Sequence, residues 1–207
     1  MIFKYAFIIP FLNLLPIIFG WKNLILKKNK IGNLFSYYLI TTAICGLICV
    51  LLWAYEKNNQ WCYNCLQIIL FLITSAIFKI EFKNNLISIY SIFITVFLIF
   101  NTFFQGFYNF NQINFNIVFT LLGVMSASCL MDFMLKVVES EYSEFKFWMY
   151  CGFFTFSFGS LLFNLFFHKI QTNDFLLKFY TIYQFSLNLI ANFFFTKATA
   201  LLRRHED

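Results

Sequence analysis

Seven stretches of this 207-residue chain are apolar over roughly the length needed to cross a lipid bilayer, and no other feature narrows the fold so far. A spanning α-helix needs about 20 mainly apolar residues, each adding about 1.5 Å of rise across a hydrocarbon core about 30 Å thick. The stretches lie at about 2–20, 32–54, 62–80, 86–104, 115–135, 147–167 and 175–196. In lipid a backbone N–H or C=O finds no water, so a single segment satisfies itself only as a helix. The expected fold is therefore all-α: one transmembrane domain of seven helices over residues 1–207.

Composition points the same way. The chain is 61% hydrophobic and 12% charged, against about 45–50% and about 25% in soluble domains. The net charge of +6 does not indicate nucleic acid, because the basic residues sit at the ends of apolar stretches and form no basic face. The expected surroundings are a lipid bilayer and a separate membrane or cytoplasmic protein partner.

The first stretch has Lys4 and an apolar run, as a secretory signal would. Pro10, Asn13 and Pro16 interrupt that run, and no small-residue cleavage site precedes Trp21, so it is read as a helix. Its prolines predict a kink, and Asn13 between them can bond a freed carbonyl or a neighbouring helix.

Orientation follows from the basic residues, which collect on the cytoplasmic side. Lys22, Lys27, Lys28, Lys30, Lys79, Lys83, Lys136, Lys146, Lys197, Arg203 and Arg204 fall on one side, and Lys4, Lys57, Lys169 and Lys178 on the other. This puts the N-terminus outside and the C-terminus in the cytoplasm, which requires an odd number of spans. The expected location is the inner (cytoplasmic) membrane, as a multi-pass protein. The connections are short, the longest cytoplasmic one reading KVVESEYSEFK, and leave no room within this chain for a kinase or ATP-binding domain. The connection FFQGFYNFNQINFN interleaves aromatics with amides. It reads as helix ends in an aromatic belt at headgroup level, or as an exterior surface for a ligand or partner.

The last stretch carries the most pointed pattern. Gln184, Asn188 and Asn192 recur every fourth residue and form one polar stripe on a helix. Amides on a membrane helix seek protein or water. The stripe, with Asn164 on the sixth helix and Tyr183 near the outer mouth, is the candidate interior or ligand-lining face. It can hold helices together, line a small-molecule path or bind a partner helix. Small residues at four-residue spacing (Cys151, Thr155 and Gly159 on the sixth helix, Gly123 and Ala127 on the fifth, Thr42 and Gly46 on the second) predict close helix packing. Pairing of the sixth and seventh helices is the main packing expectation.

Signals for chemistry are sparse. Cys62 and Cys65 form a C-x-x-C at the outer end of the third helix, read as packing or as a local disulfide. A zinc site needs four ligands, and His168 is the one histidine expected on that face. Asp132 with Lys136, and Asp174 with Lys178, are read as i,i+4 pairs near helix ends. No charge falls near the middle of a span, unlike the relays of pumps and ion-coupled carriers. A retinal protein needs a lysine deep in the last helix, whereas Lys178 and Lys197 lie at its two ends. The sequence has no Ser–His pair, no Gly-rich phosphate loop and no metal-ligand cluster, and neither an enzyme nor a cofactor or metal is expected.

Several local patterns resemble those of uncharacterised small seven-helix integral membrane proteins common in Bacteroidota. Phe147-Trp148 and the later Ser157-Phe158-Gly159 match their sixth segment, Asn188 and Asn192 their last, and Leu15-Pro16 with Gly20 their first connection. That group carries histidine one turn before the Asn pair and near the start of the third helix. This chain has Gln184 at the first place and Tyr63 or Asn64 near the second. The resemblance implies topology and no activity. The expected function is a non-catalytic sensing, signalling or scaffold subunit acting with separate partners. A small-solute transporter or channel lined by the amide stripe is the alternative.

Overall fold

The computed structural model describes residues 11–20, 30–55, 57–109, 111–135, 141–164 and 174–202. Among these residues every regular element is a helix. We number them α1 (Phe11–Gly20), α2 (Lys30–Ala54), α3 (Gln60–Phe82), α4 (Leu86–Gln105), α5 (Gln112–Leu135), α6 (Glu141–Asn164) and α7 (Asp174–Leu201). By length and composition, α2, α3, α4 and α5 are each able to cross a membrane.

Asparagines set several helix starts. The N–H of Gln60 donates to Asn58 Oδ1 at 2.8 Å, and the N–H of Leu86 to Asn84 Oδ1 at 2.9 Å. Asn111 caps α5, with the N–H of Asn114 donating to its Oδ1 at 3.0 Å. This bond satisfies one of the donors that a helix start leaves open, and it begins α5 at Gln112, ahead of the apolar run. Two stops use left-sided backbone: Lys83 at φ 50° after α3, and Gly106 at φ 92° after α4. A residue with a Cβ disfavours the latter conformation, so glycine fits there.

The helices form two compact units. One comprises residues 27–118, the other residues 1–26 with 119–207. In the first, α2 packs on α3 and α3 on α4. In the second, α6 and α7 form the most extensive pair in the described chain, as the small-residue pattern predicts.

The close approach of α6 and α7 rests on two glycines. A Cβ built on Gly152 would run into the Phe195 ring, and one on Gly159 into the Leu187 side chain. Gly159 is on the expected face. Gly152 is not, because the contact follows a seven-residue repeat (152, 159), whereas the expectation counted every fourth residue from Cys151. Phe153 adds an edge-on contact to Phe195 at 5.4 Å. The α1 helix runs beside α7 in the same direction: Asn13 meets Asn192, and Gly20, seven residues on, meets Thr199, also seven residues on. The α7 helix therefore continues past Lys197, since Ala198 and Thr199 are fully buried there.

The cores contain apolar side chains, and large apolar side chains also cover the outside of the helices. On α4 the buried residues are Ser91, Leu98 and Thr102, while Phe93, Phe100, Phe103 and Phe104 are each at least 70% exposed. Four buried hydroxyls are satisfied on their own helices: Ser36 donates to Gly32 O, Thr74 to Leu70 O, Ser91 to Ile87 O and Ser126 to Leu122 O, all within 2.6–2.8 Å. Such back-bonds need no water. Large exposed apolar side chains suit a chain whose solvent is lipid. Four apolar helices of spanning length are compatible with a membrane-embedded protein.

Candidate functional site

The amide stripe on α7 satisfies itself one turn at a time. Thr196 Oγ1 donates to Asn192 O at 2.7 Å, Asn192 Nδ2 to Asn188 O at 2.8 Å, and Asn188 Nδ2 to Gln184 O at 2.8 Å. Each side chain thus returns to the carbonyl four residues back, as helix geometry allows. Asn192 Nδ2 donates a second time, to Asn13 Oδ1 on α1 at 2.9 Å. Both N–H groups of that amide are then engaged. Asn188 and Asn192 are 9% and 5% exposed, so these two amides face protein.

The other expected members of this face lie toward the N-terminal end of α7. Gln184 is half-buried, one turn along α7 from Tyr180. The Tyr183 hydroxyl lies 3.4 Å from Gly159 O on α6. Asn164 is the last residue of α6 and is buried, one turn beyond buried Ser160. Asn188 and Asn192 are therefore joined to each other and to α1, and Tyr183 joins α7 to α6. Neutral amides spent on carbonyls and on another amide hold helices in register. They offer no proton, nucleophile or charge.

At its other end the α6–α7 pair closes on Trp148. Lys197 Nζ sits 3.6 Å from the centre of the Trp148 ring, and the ring N–H points at Glu144 Oε1, 3.4 Å away. A cation over an indole face is attracted by the ring quadrupole. Lys197 is the expected anchor, and Trp148 is what it anchors on.

A second polar cluster, in the unit of residues 27–118, is absent from the sequence expectations. Asn64 on α3 donates to Phe107 O and Asn109 O at 3.0 and 2.8 Å, and its Oδ1 accepts from the N–H of Asn111 at 3.3 Å. Asn101 on α4 donates to Asn111 Oδ1 and Asn114 Oδ1 at 3.1 and 2.8 Å. Asn114 donates to Leu98 O and to Thr102 Oγ1. Asn64, Asn111 and Asn114 are at most 1% exposed. The aromatic–amide connection is thus a clasp that ties α3, α4 and the start of α5 together. The signal was in the sequence, as the N-Q-I-N spacing of a cap at Asn111 with a polar residue three positions on.

Cys62 and Cys65 are separate thiols in the structure. Cys62 is buried toward α2, where its Sγ lies 3.8 Å from Cys45 O, and Cys65 is half-buried. Among the described residues, no group of three or more His, Cys, Asp or Glu is arranged to hold a metal ion. Asp132 is exposed. Its expected partner Lys136, both histidines (His168 and His205) and the side chain of Asp174 lie outside the described residues.

No protein-family model, curated protein or solved structure matches this chain.

Proposed function

We propose that the chain is a seven-span protein of the cytoplasmic membrane, N-terminus out and C-terminus in. In this reading it serves as a non-catalytic scaffold or sensing subunit for a separate protein partner. The observation that carries this reading is the Asn13–Asn192–Asn188 arrangement, in which the amide stripe is spent on helix contacts. A translocation path needs polar groups turned to a water-filled route. Here the donors of the stripe return to α7 carbonyls or cross to α1. The parallel run of α1 and α7 supports an odd number of spans, since helices that cross in the same direction are separated by an even number of steps.

The transporter reading differs in one measurable respect. Single cysteines at Gln184 and Asn188, in the wild-type background, are exposed to a small water-soluble thiol reagent in membranes. The scaffold reading expects no labelling above wild type. Labelling at both positions would replace it with a solvent-lined path. The partner is sought by cross-linking in intact membranes and isolation of the full chain, and recovery of the chain alone counts against a subunit role.

A further inference from the structure

Trp148 holds two opposite charges on different sides of one indole. Lys197 Nζ lies 3.6 Å from the ring centre, over its face, and Glu144 Oε1 lies 3.4 Å from the ring nitrogen, at its edge. Phe194 packs against the same ring at 5.6 Å, and Phe147 stands edge-on to it at 5.4 Å. Glu144, Trp148 and Lys197 are all half-buried, so both charges reach the surface.

The indole does not use up either charge. An ammonium has three N–H donors, and a carboxylate has about four lone-pair sites. The ring face covers one side of the first, and the ring N–H takes one site of the second. Along α7, Phe193 lies one turn before Lys197 and Ile190 two turns before it, and both are exposed. A ledge with two opposite charges therefore stands at the head of an exposed apolar stripe.

We propose that this ledge binds the headgroup of a lipid that carries a phosphate and a primary ammonium, of the phosphatidylethanolamine kind. The phosphate accepts from Lys197 Nζ, the lipid ammonium donates to Glu144, and the acyl chains lie along Phe193 and Ile190. Charge complementarity selects this occupant. A charge that meets a bilayer needs a polar partner, and the headgroup offers one for each. An anionic headgroup satisfies Lys197 but meets Glu144 with like charge. A choline headgroup has a cation without N–H donors and cannot hydrogen-bond the carboxylate. The site rests on the membrane reading above, but on neither the scaffold role nor the orientation, which decides only the leaflet.

The test incubates the purified full chain in detergent with equal amounts of phosphatidylethanolamine, phosphatidylcholine and phosphatidylglycerol of identical acyl chains. Bound lipid is counted by native mass spectrometry. The wild-type chain is expected to retain the ethanolamine lipid about fivefold over each of the others, the effect of one partly exposed charge pair. E144Q and K197M are expected to lose that preference and K197R to keep it. K79M, at an exposed lysine on α3, is expected to leave it unchanged. E144K is expected to turn the preference to phosphatidylglycerol, a gain that misfolding does not produce. Equal retention of the three lipids by the wild type, preference for the choline or glycerol lipid, or a preference that survives both E144Q and K197M overturns the proposal. Displacement of the lipid by an equal concentration of soluble glycerophosphoethanolamine overturns the lipid as occupant. Retention of no lipid of any kind overturns the membrane reading as well.

Discussion

Asn13 on α1 and Asn192 on α7 are 179 residues apart in the chain and share a hydrogen bond of 2.9 Å. Asn192 also bonds the carbonyl of Asn188, so one amide fixes the pitch of its own helix and the position of a second helix. Interhelical hydrogen bonds in membranes contribute about 0.6 kcal/mol on average and seldom more than about 2 kcal/mol. A double-mutant cycle with N13A and N192A, read by unfolding in mixed micelles, is expected to give a coupling in that range. A coupling near zero would mean the two amides pack without bonding.

The glycine contacts make a sharper prediction. At Gly152 a methyl group collides with the Phe195 ring, which is edge-packed on Phe153 and 5% exposed. Overpacking a dense contact typically costs about 1–3 kcal/mol. G152A is expected to lower the midpoint of thermal unfolding, and F195L in the same chain to recover part of the loss. G159A is expected to cost less, because the obstacle is the end of the flexible Leu187 side chain.

The asparagine clasp predicts an unequal pair. Asn114 is 1% exposed, donates to Leu98 O and Thr102 Oγ1, and accepts from Asn101. N114A removes three side-chain hydrogen bonds of the clasp, each contributing about 0.5–1.5 kcal/mol, while Leu98 O keeps Thr102 Oγ1 and Asn101 keeps Asn111 Oδ1. Asn58 makes an exposed bond to Tyr108 O. N58A is therefore expected to cost clearly less than N114A, as read by the fraction of protein that stays monodisperse after heating in detergent.

Lys197 over Trp148 tests the packed end of α6 and α7. Cation–π contacts are worth about 0.5–1 kcal/mol at exposed sites and about 2 kcal/mol when desolvated. K197M is expected to lose this and K197R to retain most of it. W148F in the K197M background is expected to add only its packing loss, which a cycle on the same unfolding assay separates.

How much of this was legible in the sequence depends on the range of the interaction. The helix content and the inward turn of Asn188 and Asn192 follow from apolar length and four-residue spacing, which are local properties. The Asn13–Asn192 bond was half legible: Asn13 stood out between two prolines, but its partner lies at the other end of the chain. Gly152 was missed because the face that α6 presents is set by where Phe195 and Leu187 fall on α7, which spacing within α6 does not carry. The clasp was missed for the same reason. Asn64, Asn101 and Asn114 look like headgroup-level amides until α3, α4 and α5 are brought together. Conversely, Cys62 and Cys65 looked like a pair because they are three residues apart in sequence, whereas the Cys62 thiol is turned to the Cys45 carbonyl on another helix.

The most direct test of the account is the side of the membrane on which residues 22–30 lie. A cysteine is introduced at Leu24, and intact cells are treated with a membrane-impermeant maleimide beside the wild-type chain. The account predicts no labelling above wild type until the membrane is opened, and full labelling afterwards. Labelling of Leu24→Cys in intact cells would contradict the orientation with the N-terminus out and the C-terminus in.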